Sequence, residues 1–157
     1  KVRLPLADRK LAAAFPMLCQ PLEERRASPR EAGRSILIVD DDQSLLDALA
    51  MRLRGQGFST TTAASGKQAL VLAHSEMPRL ILLDLCLPDM DGLALCQQLV
   101  DDERTSEIPV IIVSGLDQPD IIRRARSAGC QYFVHKPYDP NVLLTLIERA
   151  IDEGEQA

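Results

Sequence analysis

Runs of four purely apolar residues recur along the chain from Ser35 onward, and each run stops at a polar residue. They are Ile36–Val39, Leu80–Leu83 and Val110–Val113. Runs that are this short and contain no polar residue are typical of strands buried on both faces of a parallel sheet. Between them lie stretches with apolar residues at helical spacing, such as residues 44–56. The pattern therefore predicts strands and helices in alternation.

The whole of this region divides into five strand-then-helix units. The predicted strands are 36–39, 58–63, 80–83, 110–113 and 132–134, and the predicted helices are 44–56, 65–74, 93–100, 120–128 and 141–151. Strands that alternate with helices through short connections favour an α/β fold. We expect a doubly wound, flavodoxin-like parallel sheet of five strands in the order 2-1-3-4-5, with helices on both faces.

Charge and proline content divide the chain into two parts. Residues 1–34 carry eight basic and four acidic residues and several prolines, which predicts an N-terminal extension or linker. Residues 35–157 carry ten basic and nineteen acidic residues and are predicted to form one domain. This acidic balance argues against direct nucleic-acid binding. No apolar run is long enough to span a membrane.

The four cysteines lack the spacing of a metal site, and we interpret them as reduced thiols of a cytoplasmic protein. The two histidines, His74 and His135, have no second ligand at helical spacing and are predicted to be exposed side chains. Ser65-Gly66-Lys67 is only a weak match to a phosphate-binding loop. None of these features indicates a cofactor.

Polar residues follow successive predicted strands at the point where each strand ends. They are Asp40 and Asp41, Asp84, Ser114 and Lys136. Because parallel strands end at one edge of a sheet, we expect these side chains to converge. Two carboxylates about 4 Å apart repel by about 4 kcal/mol at an effective dielectric of about 20. Three such pairs approach the whole stability of a domain, so a cation is expected, and hard oxygen ligands favour Mg²⁺.

A magnesium site beside Asp84 suits phosphoryl transfer to that carboxylate. The Lys136 ammonium and the Ser114 hydroxyl can stabilise the charge of the transferred group. Each residue also has a simpler explanation, since residues 40–42 can cap a helix and Asp84 can belong to a turn. Their joint position at strand ends favours a site.

Four motifs resemble the receiver domain of two-component response regulators: IVDDDQSLL, LILLDLCLPDMDG, VIIVSG and FVHKP. The resemblance implies that Asp84 is phosphorylated from a phosphohistidine on a sensor histidine kinase or a phosphotransfer domain. It also implies that Mg²⁺ is held by Asp41, by Asp40 through water, by Asp84 and by the backbone carbonyl of Cys86. Ser114 and Lys136 match the hydroxyl and the lysine that contact the phosphoryl group, and the bond between Lys136 and Pro137 matches one that is usually cis.

The resemblance also implies a switch formed by Ser114 and Phe133, although Phe133 stands where such domains commonly have Tyr. An output protein would bind the face made by the fourth helix, the fifth strand and the fifth helix. The fourth helix carries a basic run, RRAR at residues 123–126. Without the resemblance, such a run predicts a solvent-exposed helix face. The implied function is that of a phosphoacceptor signalling domain that assists its own phosphorylation and dephosphorylation, and not that of an enzyme.

Two alternatives and one question about the parent protein remain open. Aspartyl-phosphate-type phosphatases or hydrolases have a second carboxylate two residues after the nucleophile, where this chain has Cys86. A binding-only receiver would not be phosphorylated, but every acidic and cationic position is filled here. Lys1–Ala7, KVRLPLA, resembles the closing strand of a histidine kinase ATP-binding domain. The chain is therefore either a stand-alone receiver or the C-terminal part of a hybrid histidine kinase.

Overall fold

Five parallel strands form a single sheet in the computed structural model, which describes residues 34–155. The strands are β1 (Ser35–Val39), β2 (Ser59–Ala63), β3 (Leu80–Leu83), β4 (Val110–Ser114) and β5 (Tyr132–His135). They lie in the order β2-β1-β3-β4-β5 with every neighbouring pair parallel. The predicted fold class and strand order are confirmed.

A helix follows each strand. The helices are α1 (Gln43–Gly55), α2 (Gly66–Glu76), α3 (Gly92–Asp101), α4 (Ile121–Ser127) and α5 (Pro140–Glu155). Predicted helix ends differ from these by one to four residues, and the largest difference is at the end of α5. The last turn of α5 is DEGE, which has no apolar residue and therefore gives no helical periodicity to detect.

The sheet is covered on both faces, which explains its continuously apolar strands. Alternate strand residues pack with α1 and α5 on one face and with α2, α3 and α4 on the other. All four residues of β3 are buried, as expected for the central strand. The edge strand β2 is Thr-rich and mostly half-buried. The positions of the buried strands therefore determine where the loop after each strand begins at the carboxyl edge of the sheet.

The extension predicted for residues 1–34, including Lys1–Ala7, lies outside the described residues apart from Arg34. Within residues 34–155, none of the helices combines the length and the apolar character that crossing a membrane requires. Cys86, Cys96 and Cys130 are free thiols. Burial raises the pKa of the Cys96 thiol to about 12, so this group stays protonated at neutral pH.

Candidate phosphoacceptor and metal site

Two carboxylates are held at the carboxyl edge of the sheet by backbone hydrogen bonds that continue beyond the strands. The amide of Asp84 donates to the carbonyl of Val39 at 2.9 Å, and the amide of Asp40 donates to the carbonyl of Ala63 at 3.1 Å. Because β1 and β3 are neighbours, these bonds place Asp40 and Asp84 side by side. Their positions therefore follow from the strand order alone.

Lys136 joins these two carboxylates. Its Nζ lies 3.0 Å from Asp40 Oδ2 and 3.2 Å from Asp84 Oδ2. Both aspartates are buried, with 8% of each residue exposed. The Lys136–Pro137 peptide bond is cis. The amide of Lys136 donates to the carbonyl of Ser114 at 2.9 Å, which holds the backbone of Lys136 at the end of β4. The ammonium is thus directed into the site from the segment that follows β5.

A third carboxylate makes the group suitable for a divalent cation. Asp40, Asp41 and Asp84 each offer an oxygen, and these three atoms lie within 4.8 Å of one another. One ammonium against three carboxylates leaves a net charge of −2 when all are ionised. A small divalent cation with hard oxygen ligands matches that charge and chemistry. The residues present therefore fit Mg²⁺.

The backbone of Cys86 adjoins the same carboxylate. Its amide donates to Asp84 Oδ1 at 3.2 Å. The resemblance assigns the carbonyl of Cys86 to the metal, and this contact is a local turn that places the backbone of Cys86 next to the Asp84 carboxylate. Burial, followed by the negative charge of Asp84, raises the pKa of the Cys86 thiol, so the side chain is neutral at physiological pH.

The ionisation of the site reflects two opposing effects. Burial raises the pKa of Asp84 and the charge of Asp40 adds to this, while the hydrogen bond from Cys86 and the charge of Lys136 oppose it. For Lys136, burial lowers the pKa, but the contacts with Asp40 and Asp84 outweigh it and leave that pKa raised. Lys136 therefore stays positively charged at neutral pH, whereas holding the charged carboxylates of Asp40 and Asp84 together lowers the free energy of unfolding.

The helix-capping explanation holds for Asp42 only. Its Oδ1 accepts hydrogen bonds from the amides of Ser44 at 3.0 Å and Leu45 at 3.3 Å, so it is the N-cap of α1. Its own amide donates to Asp40 Oδ1 at 2.9 Å. The cap therefore also orients a site carboxylate, while Asp41 is left to contribute to the acidic group.

The remaining two predicted residues flank the site in different ways. Ser114 is fully buried, and its Oγ accepts a hydrogen bond from the amide of Leu116 at 3.1 Å. The hydroxyl proton is a separate group that can be donated to a phosphoryl oxygen. Phe133 is half-buried and packs on the face of the sheet that α2, α3 and α4 cover. It lies outside the cleft that contains Lys136.

An apolar wall beside the site was not expected from the sequence. A cleft of about 540 Å³ extends from Asp84 and Lys136 past Leu45 and Tyr138. Leu45 stands at helical spacing with the other apolar residues of α1, yet it is 46% exposed. The residue stands in the first turn of the helix, and helical periodicity alone does not separate it from the buried Leu46 that follows.

Away from the site, the expectation that both histidines are exposed was wrong for His74. His135 is exposed, but His74 is half-buried at the end of α2. Its Nδ1 lies 2.8 Å from the carbonyl oxygen of Leu70, and its Nε2 lies 2.6 Å from Asp102 Oδ2. The partner is 28 residues away in sequence and has no local signal.

Comparisons with known proteins agree on one family. A sequence model described as the response regulator receiver domain matches residues 36–148. The DNA-binding dual master transcriptional regulator RpaA of Synechocystis is 36% identical over 112 residues, which cover 71% of this chain and 46% of that protein. Response regulator PleD of Caulobacter vibrioides is 35% identical over 127 residues, which cover 77% and 28%. The chain thus matches about half or less of these relatives' length.

Solved structures show the same similarity in three dimensions. A CheY-like response regulator receiver domain protein from Methanospirillum hungatei has a TM-score of 0.74 and 31% identity, covering 78% of this chain and 97% of its own. The signal receiver domain of a signal transduction histidine kinase from Syntrophus aciditrophicus has a TM-score of 0.71 and 31% identity, covering 76% and 90%. Receivers from different parent proteins are therefore similar to this chain.

Proposed function

Because the chain belongs to the response regulator receiver domain family, we propose that Asp84 accepts a phosphoryl group from a phosphohistidine. The donor is a sensor histidine kinase or a phosphotransfer domain. The observation that carries this proposal is the Lys136 ammonium between the buried carboxylates of Asp40 and Asp84, with Asp41 beside them. Such an excess of negative charge in a cleft is costly for stability and useful for binding a cation and a phosphoryl group.

The chemical step is a nucleophilic displacement at phosphorus. An oxygen of Asp84 forms a bond to phosphorus while the P–N bond of the phosphohistidine breaks, and the electron pair of that bond returns to the imidazole nitrogen. Asp84 then carries an aspartyl phosphate. Lys136, already within 3.2 Å of Asp84 Oδ2, can follow the new negative charge onto a phosphoryl oxygen.

Mg²⁺ would be held by Asp40, Asp41, Asp84 and the carbonyl of Cys86, and when bound it would neutralise charge on the phosphoryl oxygens. The chain's own residues provide the remaining groups. The buried Ser114 hydroxyl, at the end of the neighbouring strand β4, donates a hydrogen bond to one further phosphoryl oxygen. The proposed domain thus assists its own phosphorylation without being an enzyme in its own right.

Readout is proposed to pass through Ser114 and Phe133 to the face formed by α4, β5 and α5. On α4, Arg123, Arg124 and Arg126 are exposed, and Phe133 is half-buried and packs with the core cluster that includes buried residues of α4. A ring without a hydroxyl can respond only through packing, so we expect a protein partner that senses the buried or exposed position of Phe133. The acidic surface makes a protein, and not nucleic acid, the proposed direct partner.

We propose that residues 35–157 form this receiver and that residues 1–34 connect it to a preceding domain, with a cytoplasmic location. The KVRLPLA sequence at Lys1–Ala7 supports a hybrid histidine kinase as the parent. The similarity to a receiver from a histidine kinase, that of Syntrophus aciditrophicus, is compatible with this origin.

Intact mass spectrometry after incubation with acetyl phosphate tests the phosphoacceptor. We expect one phosphoryl adduct on the wild type that requires Mg²⁺, none on Asp84→Asn, and a strongly reduced amount on Asp41→Asn. Asp42→Asn is the matched control, because it removes an adjacent charge while asparagine caps the helix equally well. An adduct on Asp84→Asn, or one that forms equally without Mg²⁺, would contradict the proposal.

A further inference from the structure

The loop that follows Asp84 is anchored at its base. The amide of Gly92 donates to the carbonyl of Leu85 at 3.1 Å, and Cys86 pairs with Asp91 in an antiparallel bridge. The two ends approach so closely that a Cβ at Gly92 would lie 2.5 Å from the Cα of Leu85. These contacts bring the two ends of the loop together, and residues 87–90 between them take no part in these contacts.

The tip of the same loop is attached to a different element. Asp89 Oδ1 accepts a hydrogen bond from the amide of Gly66 at 2.8 Å, and Asp89 Oδ2 accepts one from the amide of Lys67 at 2.9 Å. These amides begin α2, where backbone donors have no partner within the helix and a negative charge is favourable. One carboxylate thus joins the loop to the first turn of α2 through both of its oxygens.

The contact at the tip brings loop side chains close to the backbone of Gly66. A Cβ at Gly66 would lie 2.2 Å from the sulfur of Met90 and 3.3 Å from Asp89 Oδ1. A larger residue would require the Met90 side chain to move. The Ser65-Gly66-Lys67 sequence, a weak match to a phosphate loop, is therefore explained by the docking of this loop.

The helix that receives Asp89 is itself connected to the acidic site. The amide of Asp40 donates to the carbonyl of Ala63 at the end of β2, and the amide of Ala64 donates to Gln68 Oε1 at 3.0 Å. Asp89 therefore links the loop that carries Cys86 to the segment that holds Asp40.

We propose that Asp89 is a positioning residue of the magnesium site: by tying the β3–α3 loop to the N-terminus of α2, it holds the backbone of Cys86 where its carbonyl can bind the metal. This inference rests on the proposed function, since it requires Mg²⁺ at Asp40, Asp41 and Asp84. Residues that orient metal ligands typically change metal affinity by about 10- to 100-fold when they are removed. Asp89 touches none of the proposed ligand atoms.

The test compares two caps of the same helix. Ser65 Oγ accepts from the amide of Gln68 at 3.2 Å and so also caps α2, but the loop is not involved in this bond. Mg²⁺ dissociation constants are measured by ¹H–¹⁵N NMR titration for the wild type, Asp89→Ala, Asp89→Asn and Ser65→Ala, with urea denaturation of each. We expect about tenfold weaker Mg²⁺ binding for Asp89→Ala and an unchanged constant for Ser65→Ala, although both lose stability.

The asparagine variant separates the hydrogen bond from the charge. It removes the charge of Asp89 but keeps one acceptor oxygen, so its Mg²⁺ affinity should lie between those of the wild type and Asp89→Ala. Equal weakening in both Asp89 variants would assign the effect to charge and overturn the positioning role. Equal affinities for Asp89→Ala and Ser65→Ala would also overturn it. A wild type that binds no Mg²⁺ would instead refute the metal site itself, and this inference with it.

Discussion

The charged side chains at the two edges of the sheet differ in how they are paired and how deeply they are buried. At the carboxyl edge three carboxylates share one ammonium, and two of those carboxylates are 8% exposed. At the amino edge three acidic residues each face a basic residue in a partly exposed pair. These pairs are Arg34–Glu148 at 4.0 Å, Arg79–Glu155 at 3.1 Å and His74–Asp102 at 2.6 Å.

This difference distinguishes the exposed ion pairs of the amino edge from the buried charged residues of the proposed site at the carboxyl edge. Exposed pairs contribute little and can be exchanged with little effect. A buried, unbalanced group lowers stability unless something binds there, because like charges repel and burial removes water from them. The carboxyl edge is therefore the place where a bound cation or phosphoryl group can change the balance of the molecule.

The largest effect is expected at Lys136. Lys136→Met removes the ammonium that contacts Asp40 and Asp84, which leaves their charges buried without a cation. In EDTA the free energy of unfolding should fall by about 2 kcal/mol, less than the 3–5 for a fully buried pair because the lysine is partly exposed. Phosphorylation by acetyl phosphate should slow by about 100-fold. Urea denaturation and a mass-spectrometric time course measure the two effects.

Arg79→Met is the control for this loss of a basic residue, since its pair with Glu155 lies at the amino edge. It should cost about 0–1 kcal/mol and leave phosphorylation unchanged. If both variants lost equal stability, or if Lys136→Met were phosphorylated at the wild-type rate, the two edges would not differ as described.

The next test is a substitution that we expect to raise the free energy of unfolding instead of lowering it. Asp84→Asn removes a buried charge that Asp40 repels, while Lys136 keeps its contact with Asp40. In EDTA we expect this variant to be more stable than the wild type by about 1 kcal/mol, a fraction of the repulsion of one close pair. Glu155→Gln should be neutral or destabilising, since it removes a favourable exposed pair. Paired urea denaturation curves would contradict the comparison if Asp84→Asn were the less stable variant.

The sequence predicted the sheet and the meeting of Asp40, Asp41, Asp84 and Lys136 at its carboxyl edge. Strand order places Asp40 beside Asp84, and the apolar runs indicate where each strand ends. Short local patterns also predicted helix positions to within a few residues. These properties depend on neighbours in sequence or on the regular geometry of a parallel sheet.

Contacts between distant segments could not be predicted in this way. Asp89 reaches Gly66 across 23 residues, and His74 reaches Asp102 across 28, with no repeated pattern to mark either pair. The exposure of Leu45, next to the buried Leu46, is likewise not marked by helical spacing. Such details follow from tertiary packing, which periodicity does not report.

The smallest expected effect is at His74, where charge at the amino edge depends on pH. Both ring nitrogens face acceptors, the carbonyl of Leu70 and the carboxylate of Asp102, and only the protonated imidazole can donate to both. The hydrogen bond to Asp102, followed by that to Leu70, raises the pKa of His74 above 6.5.

The folded protein therefore binds the proton on His74 more tightly than the unfolded chain does. The stabilisation is complete below pH 6.5 and is lost as the pH rises through the raised pKa. Urea denaturation across this range should show the wild-type advantage over His74→Gln shrinking as the pH rises. An advantage that grew with pH would mean that the ring is bound in its neutral form.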